Sequence, residues 1–160
     1  MRCLCATAIV LLLLVSGCAK PSEGIGPELY KLAPELAPYK PICDQFANHM
    51  LQGQMSEAHG LLASFTKPRI ALADLQGAWD RYAGKPAQVD SFSVMIDPPS
   101  DDPITRGLHG IPETVAASTM KAEATITFED SKGGHESFFA TFVVVEEGGR
   151  LAIAGPYFED

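Results

Sequence analysis

No stretch of this 160-residue chain is long and apolar enough to cross a membrane as a helix. A spanning helix needs roughly 20 apolar residues, and the longest apolar run, Ala6 to Val15, ends after ten residues at Ser16-Gly17. Positive charge is scarce as well. Only 12 Lys and Arg stand against 20 Asp and Glu, a formal charge of −8, and no basic run occurs. That balance argues against nucleic acid as a partner and against electrostatic adhesion to anionic headgroups. Reaction motifs are missing too: there is no phosphate-binding glycine loop, no Cys-x-x-Cys and no zinc-binding His-Glu-x-x-His. No cofactor and no metal are expected. The single asparagine, Asn48, is followed by His49-Met50 and makes no glycosylation sequon.

What is present at the start has the form of an export leader. Met1-Arg2 supplies a short positive end, and Ala6 to Val15 supplies an apolar core of signal-peptide length. Val15-Ser16-Gly17-Cys18 follows: an aliphatic residue, two small ones and a thiol. This resembles the lipobox of bacterial lipoproteins, and the alternative is an ordinary secretory leader with a chance cysteine. The resemblance implies cleavage between Gly17 and Cys18, acylation of the Cys18 thiol, and a membrane as partner through that lipid. Each buried CH₂ of an acyl chain contributes about 0.8 kcal/mol, so two or three chains anchor stably where one does not. The expected location is the cell envelope. By resemblance to the sorting rule of lipoproteins in two-membrane bacteria, Ala19 in place of an aspartate implies an outer membrane facing the periplasm if the host has two membranes.

Residues 18–160 would remain after cleavage, near the common size of a single domain. Arg2 is the only charged residue lost, so the exported part is one unit more acidic than the whole chain. Cys3 and Cys5 leave with the leader and Cys18 takes lipid, which leaves Cys43 without an intrachain disulfide partner. Its position on a helical stripe with Ile42, Phe46, Ala47, Met50 and Leu51 predicts a buried, inert thiol.

The expected domains are a leader over 1–17, a lipidated N-terminus and tether over 18–40, and a folded domain over 41–160. Pro21, Pro27, Pro34 and Pro38, with Gly24 and Gly26, mark the tether. Helical spacing then predicts a helix from Pro41 to Gly53. A short second helix with Ser56 as N-cap carries the stripe Ala58, Leu61, Leu62 and Phe65, and a third over 71–83 carries Leu72, Leu75, Ala78, Trp79 and Tyr82, with Gly84 as its stop. From Ala87 the period becomes two. Strands are expected over 87–96, 114–128, 136–146 and 151–157, with a proline-bounded loop over 97–112, a turn at Ser131-Lys-Gly-Gly134, and a tight hairpin at Gly148-Gly149.

Helix, short helix, helix, strand, loop and meander is the element order of the nuclear-transport-factor-2-like, or cystatin-like, superfamily. The run Phe46 to Leu62, Leu75 with Trp79, Gly84 before the first strand, and Leu151-Ala-Ile-Ala-Gly155 look like the corresponding parts of small bacterial lipoproteins of that superfamily. The resemblance spans about residues 41–158 and implies an α+β fold, with three N-terminal helices packed on a curved, mainly antiparallel sheet that forms a cone. It rests on apolar positions and turns, so it speaks to fold more than to activity.

Both alternating faces of Phe138 to Val145 are apolar: Phe138, Ala140, Phe142 and Val144 on one, Phe139, Val143 and Val145 on the other. A strand wet on one side would not be built so. One face should meet the helices and the other more protein, and members of this superfamily often pair through the outer sheet, so a homodimer is expected.

Two functions follow as alternatives. The first is a non-catalytic binding or assembly module, with an envelope protein or a small apolar ligand as partner, using the outer sheet or a cone mouth lined by Trp79, Tyr82 and Phe92. The second is a small isomerase, dehydratase or hydrolase with a buried Asp or His base in the cone, as enzymes of this fold resemble one another in having. His49, His59, His109 and His135 read as solvated surface histidines, Asp80 and Arg81 flank the apolar stripe of Trp79 and Tyr82, and Asp90 is free to face either way on its strand, so no catalytic residue is assigned. Asp97, Asp101 and Asp102 are hard-oxygen donors, but among prolines they read as turn formers rather than calcium ligands.

Overall fold

Pro41 lacks an amide donor that a first helical turn does not need, and it opens the long helix of the domain, α1 (Lys40–Leu51). A single 3-10 turn, Ala37–Tyr39, leads into it. In the computed structural model, residues 31–82, 89–130 and 138–159 are described, Tyr82 by its backbone alone. The expected leader, the expected Gly17-Cys18 cleavage pair, the expected tether up to residue 30, Gly84, the turn expected at Ser131 to Gly134, and His135 lie outside the described residues.

The apolar stripe of α1 is buried as its spacing predicts: Ile42, Cys43, Phe46, Ala47 and Met50 face inward, while Lys40 and Asp44 pair on the outer side at 2.6 Å. Cys43 is fully buried, and its Sγ–H donates to the Tyr39 carbonyl at 3.2 Å. The second helix, α2, is Met55–Gly60, and its N-cap is Gln54, without a side-chain bond. Ser56 stands inside the helix and is not the cap. Starting the helix earlier lets Met55 enter the core together with Ala58. In α3 (Leu72–Tyr82) the Asp74 carboxylate accepts from the Ala71 N–H at 2.9 Å, and Leu75 and Trp79 are buried. Leu72 is 42% exposed, so the buried stripe of this helix is narrower than its sequence pattern.

Four antiparallel strands form one sheet in chain order: β1 (Ser91–Asp97), β2 (Met120–Glu129), β3 (Phe138–Glu147) and β4 (Arg150–Glu159). Gly148 and Gly149 both have positive φ, as a two-residue hairpin with the correct twist requires, and Glu147 pairs with Arg150. The second strand starts at Met120 rather than near residue 114. The residues before it make a turn and a 3-10 turn, Ala117–Thr119.

The proline-bounded stretch is not a loop throughout. It contains a fourth helix, α4 (Pro103–His109), capped by Asp102, whose Oδ1 accepts from the N–H groups of Ile104 and Thr105 at 2.7 and 2.9 Å. Pro103 occupies the first helical position and Gly110 ends the helix in the left-handed conformation. Seven residues with a single clear apolar pair carry little periodicity, so the caps, not the stripe, are the signal here.

One face of the sheet, including Ala124, Ile126, Phe128, Phe138, Ala140, Phe142, Val144 and Ile153, packs on the three N-terminal helices. Phe46 meets Phe142 edge to face at 5.4 Å between centroids. Burying a side chain of this size contributes about 1.5 to 3 kcal/mol. The opposite face is covered in part by the chain itself. Val143, Val145, Ala152 and Ala154 form a second core with Ala63, Met120 and Ile111, flanked by Phe65 and Val115. The need for protein on that side is therefore met internally at Val143 and Val145. Farther along the same face Phe139 and Thr141 are half-buried and Tyr157 is 42% exposed.

The free edge of β4 is closed as well. Leu62 bridges Ile153 in parallel, with Ile153 N–H donating to the Leu61 carbonyl at 2.9 Å and Ala63 N–H donating to the Ile153 carbonyl at 2.7 Å. Among the described residues no helix is long and apolar enough to cross a membrane.

Candidate functional site

Trp79 is a core residue in this fold. Its ring stands edge-on to Phe128 and Phe138 at 5.0 and 5.5 Å between centroids, and those two rings stack on each other at 5.1 Å. Phe92 is half-buried and tilts against Phe128 at 6.5 Å. The structure thus brings Trp79 and Phe92 together around Phe128 as packing partners. The side chain of Tyr82 lies outside the described residues, as do Gly17 and Cys18.

The carboxylates and imidazoles weighed from the sequence are mostly engaged elsewhere. Gln76 donates to Asp80 at 2.8 Å on the exposed side of α3. His49 bonds Gln54 at 2.7 Å, and the half-buried His59 donates from Nε2 to the Ile70 carbonyl at 2.9 Å. Asp101 pairs with Arg106 at 2.5 Å. Asp102 accepts from Ser100 Oγ and from Thr105 as well as capping α4, and these bonds hold its carboxyl down at about 2, the Ser100 hydroxyl contributing most. Helix capping thus engages Asp102, and an ion pair engages Asp101. Among the described residues no group of three or more potential ligands is arranged to hold a metal ion.

His109 departs from expectation. It is not a solvated loop histidine but the last residue of α4, only 5% exposed, and its Nδ1–H donates to the carbonyl of Gly155 at 2.8 Å. The sequence places a glycine and a proline, Gly155-Pro156, inside β4, where the pairing with β3 slips between Thr141 and Val143. Gly155 has φ +49°, and a Cβ there would overlap the backbone of His109. This is a bulge that only glycine fits. It turns the Gly155 amide and carbonyl away from β3. The amide donates to Thr66 Oγ1 at 3.3 Å, and the carbonyl takes the His109 proton.

Three elements meet at this bulge. The segment from Ala63 to Ile70 is wound into turns by Thr66 N–H to the Ala63 carbonyl, and by Arg69 and Ile70 N–H to the Thr66 carbonyl. It delivers Thr66 to one side of Gly155, and α4 delivers His109 to the other. Between them lies a cavity of about 110 Å³ lined by Thr66, Arg69, Leu108, His109, Gly155 and Pro156, with Ile70. Thr66 and His109 are the buried polar side chains of the described domain. Sequence reading missed this site because its parts lie far apart in the chain. Three signals pointed to it: Gly155-Pro156 within a strand, Asp102-Pro103 as a helix start, and Gly110 as a helix stop.

A second, larger groove of about 520 Å³ runs beside the β3–β4 hairpin, lined by Ser64, Lys67, Glu147 and Arg150 among others. Ser64 closes one wall by donating both its N–H and its hydroxyl to the Glu147 carboxylate, at 2.9 and 2.8 Å. Compared with known proteins, the chain matches no family model, no curated protein and no solved structure.

Proposed function

We propose that this chain is an exported lipoprotein, acylated on Cys18 and held at a membrane of the cell envelope by that lipid, whose folded domain is a binding or assembly module of the cystatin-like, nuclear-transport-factor-2-like kind. The leader and the Val15-Ser16-Gly17-Cys18 run support the anchor. An α+β domain with helices on one face of an antiparallel sheet supports the fold assignment in its coarse form.

The observation that carries the binding reading is on α4. Ile104 is 82% exposed and Leu108 48% exposed, one helical turn apart. Leu108 also lines the small cavity. Aliphatic side chains so placed are stabilised when a partner covers them, whereas the helix-facing side of the sheet is occupied by the domain's own aromatic rings. The partner would be another envelope protein or a second copy of this chain reaching the outer sheet face.

Two measurements test this. Cys18→Ala should abolish incorporation of labelled palmitate and leave the precursor unprocessed; maturation and membrane attachment of that variant would sink the anchor. Cross-linking the intact lipoprotein in its own membrane should yield a defined adduct that Ile104→Ser with Leu108→Ser removes. An unchanged adduct would sink the assigned surface.

A further inference from the structure

The cavity beside the β4 bulge has the donor set of an anion site. In a chain with 20 acidic residues, none of its lining residues is acidic. Arg69 takes part in none of the ion pairs or hydrogen bonds of the described residues through its guanidinium, which lies against Gly110 at the cavity wall. A guanidinium carries five N–H donors in a planar fork suited to two oxygens of one anion. Thr66 accepts from the Gly155 amide, so its hydroxyl proton is left to donate. His109 uses Nδ1 on the Gly155 carbonyl and so lines the cavity as a held ring. Thr66 and His109 are buried and Arg69 is exposed, so the charge sits at the mouth and the neutral donor inside.

From this geometry we infer that the cavity binds a small free oxyanion, phosphate or a short carboxylate, through the Arg69 fork and the Thr66 hydroxyl. Its volume of about 110 Å³, open to solvent on one side, suits the oxygens of a small anion. The inference does not depend on the lipid or on any protein partner.

Arg69 has a competing structural role, because a cation at the C-terminal end of α4 is favourable for the helix by itself. The test must separate the two. In the full chain, the imidazole resonances of His109 are followed by NMR while sodium phosphate, sodium acetate or sodium chloride is added at matched ionic strength. Phosphate, acetate or both should shift His109 saturably, and chloride should not; which of the two acts assigns the phosphoryl or the carboxylate class. Arg69→Gln should weaken the response by about tenfold or more, and Arg69→Lys, which keeps the charge but removes the fork, by several-fold. Arg150→Gln, another arginine at a surface groove, should leave it unchanged. No saturable shift, an equal shift with chloride, or a wild-type response from Arg69→Gln would overturn the assignment.

Discussion

His109 donates its Nδ1 proton to the carbonyl oxygen of Gly155 across 2.8 Å, at a point where, among the described residues, β4 has no neighbouring strand on that side. With Thr66 accepting from the amide of the same glycine, two side chains do what a fifth strand would do. An unpaired strand edge is a template for another chain. Here backbone from residues 61–63 and these two side chains occupy the edge in succession.

Gly155→Ala should be among the most damaging single changes. The new methyl would overlap the His109 backbone at a φ of +49° that non-glycine residues rarely adopt. A loss of about 2 kcal/mol or more is expected in denaturant unfolding. A midpoint within error of wild type would show that the bulge relaxes freely.

His109→Ala leaves the Gly155 carbonyl without its donor, and Thr66→Val leaves the amide without its acceptor. Each should cost about 1 to 3 kcal/mol. Because both bond one peptide unit's neighbourhood, the double variant should lose less than the sum, and a double-mutant cycle measures the coupling. Strict additivity would mean that the bulge does not link them.

Trp79 is the only tryptophan, so its fluorescence reports its site directly. Packed edge-on against the stacked pair Phe128 and Phe138, it should emit at short wavelength and resist quenching by acrylamide until the domain unfolds. Trp79→Ala should cost about 3 to 5 kcal/mol. Ready quenching in the native state would return it to the wall of an open pocket.

Burial pushes the Cys43 thiol up to about 12, and the neighbouring Asp44 charge adds to the effect. With Cys3, Cys5 and Cys18 replaced by serine, Cys43 should react with a thiol reagent only as fast as the domain opens. The raised folded value has a definite sign: the contribution is fully present below the ordinary thiol value of 9.0 and is lost as pH rises from there toward 12. Stability measured across that alkaline window should fall less for Cys43→Ala than for the parent.

Asp102 has the opposite sign. Its carboxyl is held at about 2 by Ser100 and by the first turn of α4, so its contribution is present above about 3.9 and lost as pH falls through 2. Protection of the Ile104 and Thr105 amides, taken relative to intrinsic exchange at each pH, should fall on acidification through that window, and Asp102→Ala should show the low protection already at neutral pH.

The local elements were legible because each is written in adjacent residues. The α1 stripe, the Gly148-Gly149 hairpin and the alternation of β3 depend only on helical or strand period and on turn chemistry. Helix α4 was legible only in its caps, Asp102-Pro103 and Gly110, since seven residues are too few for a stripe to stand out. What no period encodes is which apolar face meets which. The second face of β3 reads as needing protein, and the sequence alone does not say that Ile111 and Ala63 supply it.

The leader pattern, the acidic balance, the α+β element order and the fate of Cys43 were therefore determined by the sequence itself, through composition and short-range spacing. Only the tertiary structure decided that Trp79 is packing, that His109 is buried, and that Thr66, Arg69 and His109 surround one bulge. The reason is physical: a hydrogen bond between residues 46 apart in the chain follows from how three elements pack, and no local preference of either residue records it.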